Sequence, residues 1–139
     1  MNMFRVFGTK ENYYITHTNE WVIDIEGHVC SLYTDPEADP DITMREDCIV
    51  EYFTGYKDRK GTPVYEGDVF KDGVYYYVVT RNEYNQFIVE CYNEFKLIDT
   101  VPLNDLVDEE KNNHHICMSV YGSWLLLKDE IYDIKEDLR

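Results

Sequence analysis

One dipeptide narrows the fold more than any other feature of the chain. Asp72-Gly73 lies between two runs of β-forming residues, Gly67-Asp68-Val69-Phe70-Lys71 before it and residues 74–81 after it. An Asp-Gly pair in that position is the strongest short-range hairpin signal, because a type I′ turn needs positive φ at both central residues. A second turn cluster, Asn82-Glu83-Tyr84-Asn85, leads into Gln86-Phe87-Ile88-Val89-Glu90-Cys91-Tyr92. Residues 67–92 are therefore expected to form a three-stranded meander.

The flanks fit the same pattern of short β runs between turns. Phe4-Arg5-Val6-Phe7 and Tyr13-Tyr14-Ile15-Thr16 surround a polar turn and predict a first hairpin or meander. Trp21, Ile23 and Ile25 alternate with polar or smaller neighbours, and residues 28–33 follow the turn at Glu26-Gly27. Residues 34–41 carry two prolines and four acids, which predicts an exposed acidic loop. Residues 48–53 are a predicted strand and residues 54–63 a turn-rich connection. Leu103, Leu106 and Val107 have the spacing of one or two helical turns. Residues 116–121 form a predicted closing strand. Leu127, Ile131, Ile134 and Leu138 predict an amphipathic C-terminal helix.

Composition then removes whole classes of function. The 139 residues hold 13 basic and 28 acidic side chains, a net charge of −15. The deficit is spread along the chain: −7 over residues 1–50, −3 over 51–100 and −5 over 101–139. Such a field repels phosphate backbones and anionic membrane surfaces, so neither direct nucleic-acid binding nor membrane attachment is expected. No apolar run is long enough to span a bilayer, and no signal segment follows Met1, so a cytoplasmic location is expected. The four cysteines, Cys30, Cys48, Cys91 and Cys117, contain no C-x-x-C pair and are expected to be reduced thiols.

Chemistry-bearing clusters are few. His114, His115 and Cys117 are the one group of soft ligands, and His115 and Cys117 would share a face of a strand. Zinc needs a fuller set, so loop histidines beside a buried cysteine are the plainer account. No P-loop, G-x-G-x-x-G or G-x-S-x-G is present. Glu66 and Asp68 straddle Gly67 and, on a strand, would share a face. As a metal or acid/base pair they supply too few ligands for a tight site. Lys57, Arg59 and Lys60 surround Asp58 in the one basic cluster. Among thirteen tyrosines, Tyr75 and Tyr77 share one strand face and Tyr76 the other. Half-buried strands favour tyrosine anyway; an aromatic binding face is the alternative.

The stretch from Val50 to Phe70 resembles the YopX family of phage and prophage proteins. Thr54-Gly55, Lys57-Asp58, Gly61 and Tyr65-Glu66-Gly67-Asp68 stand in register with that family's core pattern. Phe4-Arg5-Val6-Phe7 is similar to its Phe-Arg-Ala-Trp opening, and residues 118–123 to its closing strand. The chain departs from the family in lacking the Asn-Pro-Glu-Leu tail. The resemblance implies a mostly β domain with an SH3-like small barrel, and it brings no catalytic residues to carry over. The motif also has a physical reading as turn and strand-start geometry. Gly55, Gly61 and Gly67 supply positive φ or close approach, and Asp58 accepts backbone N–H bonds.

The expected fold is thus mainly β: an SH3-like small barrel with an N-terminal β meander and a short C-terminal helix. One domain is expected, with the meander and acidic loop over residues 1–47, a barrel core over 48–122 and an amphipathic segment over 123–139. The expected role is that of a non-enzymatic phage or prophage accessory protein, with no cofactor or metal, that binds a host or phage protein. The alternative is an acidic mimic of nucleic acid that occupies a basic host protein. Open strand edges also suggest a homo-oligomer, through the N-terminal strands or a barrel edge.

Overall fold

The computed structural model describes residues 3–16, 20–23, 25–26, 28–33, 41–45, 47–93, 96–106 and 115–127. Two compact units, Asn2–Glu51 and Tyr52–Arg139, divide the chain, with their boundary inside the strand Cys48–Asp58.

In the first unit, β1 (Phe4–Gly8) and β2 (Tyr13–Tyr14) form the expected hairpin, with Phe7 opposite Tyr14. Asn12 adopts φ 62° and donates its N–H to Gly8 O, which closes the turn. An antiparallel meander follows: β3 (Glu20–Ile23), β4 (Val29–Tyr33) and β5 (Asp41–Arg45). Residues 34–40 of the expected acidic loop lie outside the described residues. Asp41 belongs to β5, a strand the two prolines before it had hidden. Val6, Ile15 and Val29 form this unit's core, with Phe4, Trp21, Cys48 and Val50 packed against it. Trp21 Nε1 donates to Ile15 O at 3.2 Å, so the indole is both packed and satisfied.

The second unit is built on a five-stranded antiparallel sheet. β8 (Asp68–Asp72), β9 (Tyr75–Arg81) and β10 (Phe87–Asn93) are the meander expected over residues 67–92. β11 (Lys96–Pro102) adds to one side and β13 (Val120–Ser123) to the other. A 3₁₀ turn, Leu103–Leu106, follows β11 where one or two helical turns were expected. β6 (Cys48–Asp58) pairs antiparallel with β7 (Pro63–Tyr65) and parallel with β12 (His115–Ile116).

The centre of the five-stranded sheet is covered on both faces, which explains its adjacent apolar residues Val69-Phe70 and Val78-Val79. Phe70, Val79 and Val89 lie on one face with Val64, Leu103 and Ile116. Val69, Val78 and Tyr92 lie on the other, covered by Trp124 and Leu127. A sheet covered twice uses adjacent apolar residues where a sheet covered once would alternate.

The structure corrects four expectations. The first is the closed SH3-like barrel: the sheet is an open half-barrel, with β11 and β13 at its two ends. Closure requires end strands to pair; here the second face is covered instead by residues 124–127, with Trp124 stacked on Tyr92 at 5.9 Å. Those four residues are a single helical turn, and the expected C-terminal helix beyond Leu127 lies outside the described residues. Second, the closing strand of residues 116–121 is two short strands in different sheets, separated by a bend at Cys117 and Met118. Third, β6 continues to Asp58 through the expected connection, with Gly55 at φ 88° and a register shift between Phe53 and Lys57. Fourth, Asp72 pairs with Tyr75, so the central turn residues are Gly73 and Val74. Among the described residues, positive φ occurs at Gly73 (60°) and not at Val74, the pattern of type II′ rather than type I′.

Candidate functional site

The residues that carry the family-like motif meet where β6, β7, β8 and β13 adjoin, and most of their polar atoms hold backbone. Asp58 is 1 % exposed. Its Oδ1 accepts the N–H groups of Lys60 (2.9 Å) and Thr62 (2.8 Å), and its Oδ2 accepts that of Val120 (2.9 Å). Burial pushes this carboxyl up, but the three N–H donors, helped by the charge of Lys60, hold it below its ordinary value. Gly61, at φ 84°, closes the turn by donating to Asp58 O at 2.9 Å. The Lys-Asp-x-x-Gly portion of the motif is thus a buried carboxylate that ties a turn to strand β13.

The remaining motif residues act similarly. Thr54 Oγ1 donates to Val64 O at 2.7 Å and accepts Tyr56 N–H at 3.2 Å, which spans the irregularity at Gly55. Asp68, 2 % exposed, accepts Tyr65 N–H at 2.7 Å. Gly67, at φ 86°, donates to Val79 O and accepts from Trp124 N–H. Glu66 Oε2 pairs with Arg81 Nε at 2.8 Å, while the Arg81 guanidinium lies 4.8 Å from the Tyr52 ring centre. Tyr65 packs on Phe53 with ring centres 5.6 Å apart.

The expected shared face of Glu66 and Asp68 does not form. β7 ends at Tyr65 and β8 begins at Asp68, so Glu66 and Gly67 are a turn and the two carboxylates take separate partners. His115 and Cys117 likewise do not share a strand, since β12 ends at Ile116 and Cys117 is exposed in the bend after it. His114 lies outside the described residues. No group of three metal-ligating side chains occurs among the described residues. None of the four cysteines, all among the described residues, forms a disulfide, and Cys30 and Cys91 are buried.

The groups left at the surface are different ones. Arg59 and Lys60 are exposed and Lys57 is half-buried, around a turn whose only acid faces inward. Tyr75 is 38 % exposed, whereas Tyr77 packs against the Phe70 and Val79 cluster, so the two do not make one open aromatic face. Burial raises the Tyr77 hydroxyl above its ordinary value.

Sequence reasoning missed two features. Lys71 Nζ stands 5.3 Å from the Tyr76 ring centre and 5.1 Å from that of Tyr121, a cation between two rings. Nothing in the sequence places Tyr121 beside β8. The second is β11, whose Leu97 and Ile98 are 45 % and 46 % exposed. Its signal was present in the run Leu97-Ile98-Asp99-Thr100-Val101. An open groove of about 540 Å³ also lies beside β10, β11 and the 3₁₀ turn, lined by Asn82, Gln86, Phe87, Thr100, Pro102 and Asn104 among others. Its described lining holds no titratable side chain to act as a general acid or base.

No described helix is long and apolar enough to cross a membrane. The family model described as YopX protein matches residues 3–123 of the chain. No curated protein and no solved structure matches it.

Proposed function

The chain belongs to the YopX family, and from that premise we propose that it is a phage or prophage accessory protein that binds another protein in the host cytoplasm, without catalysis. The observation that carries this reading is the fate of the motif. Asp58 and Asp68 accept backbone N–H groups, Glu66 pairs with Arg81, and Thr54 bridges two strands. A general acid or base must be able to reach a substrate proton; these groups are committed to the fold. The motif therefore maintains a scaffold, and the working surface is what the scaffold presents: the turn of Lys57, Arg59 and Lys60 and the exposed Tyr75.

The test is capture from host lysate by the immobilised full chain. A single stoichiometric partner is expected, lost when Arg59 and Lys60 become glutamate or Tyr75 becomes alanine, with the circular dichroism unchanged. Capture of nothing, or capture indifferent to both variants, would overturn the reading. A second reading rests on the net charge of −15, which suits a basic partner that normally holds nucleic acid. The same experiment separates the two. Complete release of the partner by salt alone, together with its competition by DNA, favours the charge mimic.

A further inference from the structure

We propose that β11 is a dimerisation edge, paired antiparallel with the β11 of a second copy of this chain. β11 ends the sheet, and among the described residues nothing pairs with its outer side. Residues 96–100 are all exposed, Leu97 and Ile98 by nearly half. An open strand edge is a template for another strand; the lysine and the bulge, which commonly discourage such pairing, are here the features that leave one charge-matched register.

What selects a second copy is the arrangement of charge about a bulge. Lys96 lies opposite Asn93, Leu97 opposite Tyr92 and Asp99 opposite Cys91, with a register shift that leaves Ile98 as the extra residue. In a regular strand, positions three apart point to opposite faces. The bulge changes that parity. Lys96 and Asp99 therefore share a face, the one that carries Asn93 and Cys91. Asp99 Oδ1 accepts Thr100 N–H at 2.8 Å, which fixes the carboxylate beside the strand.

A two-fold axis perpendicular to the sheet, passing beside the bulge, pairs residues of the same face from two antiparallel strands. It sets Lys96 opposite Asp99 of the partner subunit, and Asp99 opposite Lys96 of the partner subunit. Between these ion pairs, Leu97 and Ile98 meet Ile98 and Leu97 of the partner subunit. One register thus satisfies both charges and covers both apolar side chains, and the symmetry repeats each contact. This interface involves none of the surface assigned above to the protein partner, so the two readings stand or fall separately.

The experiment is sedimentation equilibrium of the full chain at high micromolar concentration in about 0.15 M salt, where surface charges separated by more than about 8 Å are screened. The wild-type chain is expected to be a dimer in equilibrium with monomer, since a single edge pairing is a small interface. Lys96→Asp places like charges opposite each other twice and should weaken association by about tenfold. Lys96→Asp combined with Asp99→Lys restores opposite charges and should recover most of that loss. Ile98→Lys should give monomer. All three positions are exposed, and circular dichroism checks that each variant is folded. A monomeric wild type, a Lys96→Asp variant that dimerises as before, or a charge-reversed variant as weak as the single one would each overturn the proposal.

Discussion

Asp58 shows how a motif residue can matter without touching a ligand. Its two oxygens accept three backbone N–H groups from a turn and from a strand more than sixty residues away in sequence. Asn at this position keeps one acceptor but turns an N–H group toward a backbone donor. Asp58→Asn should therefore lower stability by about 2 kcal/mol, the order expected for a buried polar group left mispaired. The carboxyl is held below its ordinary value near 3.8 in the folded chain. Its stabilising contribution is present above that value and disappears as pH falls through the lower, folded one. Thermal melts of the wild type from about pH 6 downward should therefore show a loss that the Asn variant lacks. Equal pH dependence in both would show that the carboxylate is not held this way. The thiols give a second residue-scale prediction. Cys117 is exposed, whereas Cys91 is buried and its thiol is pushed up, first by burial. An alkylating reagent should modify Cys117 first and Cys91 only on unfolding, as mass mapping of the labelled peptides would show. Reducing agent should leave the melting temperature unchanged, since none of the four cysteines forms a disulfide.

Among the elements, the hairpin of β8 and β9 separates what the sequence makes legible from what it does not. Asp72-Gly73 correctly placed the chain reversal, because only a turn uses that chemistry between two β runs. It did not reveal that the pairing of Asp72 with Tyr75 moves the turn by one residue, since register is set by the side chains across both strands. Gly73 at φ 60° has open space around the position of a Cβ. Gly73→Val should therefore cost about 1 kcal/mol or more through backbone strain and not through collision. An unchanged melting temperature would mean that the turn tolerates negative φ at this residue. The same limit explains the other differences. Residues 116–121 alternate as one strand would, yet Ile116 pairs with β6 and Val120 with β8. Periodicity reports that a residue is extended and says nothing of its partner. Gly55 marked an irregularity, and whether the chain turned or bulged there was decided by Thr54, whose hydroxyl holds Val64 across the ladder. The candidate site was legible as a structural motif, while the exposed edge at Leu97 and Ile98 was passed over because exposure is a property of the sheet order.

At the scale of the whole molecule, closure into a barrel was the expectation that failed, and charge is the property that now decides most. Sequence length and strand number suit a small barrel, but closure depends on whether the last strand reaches the first. The C-terminal part of this chain instead lays Trp124 and Leu127 across the second face of an open sheet. The net charge of −15 over 139 residues opposes any compact state through self-repulsion. Among the described residues, the ion pairs of Arg5 with Glu51 at 2.9 Å and Arg81 with Glu66 at 2.8 Å are both partly buried. Added salt screens the long-range repulsion strongly, while partly buried pairs are screened much less. The melting temperature should therefore rise with sodium chloride from about 0.01 M to about 0.5 M, the range over which the Debye length falls from about 30 Å to a few ångströms. The measurement belongs at low protein concentration, where association through β11 does not contribute by mass action. A melting temperature that falls with salt would mean that attractive surface pairs outweigh repulsion. The reading of the charge as a field directed outward, toward a basic partner, would then lose its physical basis.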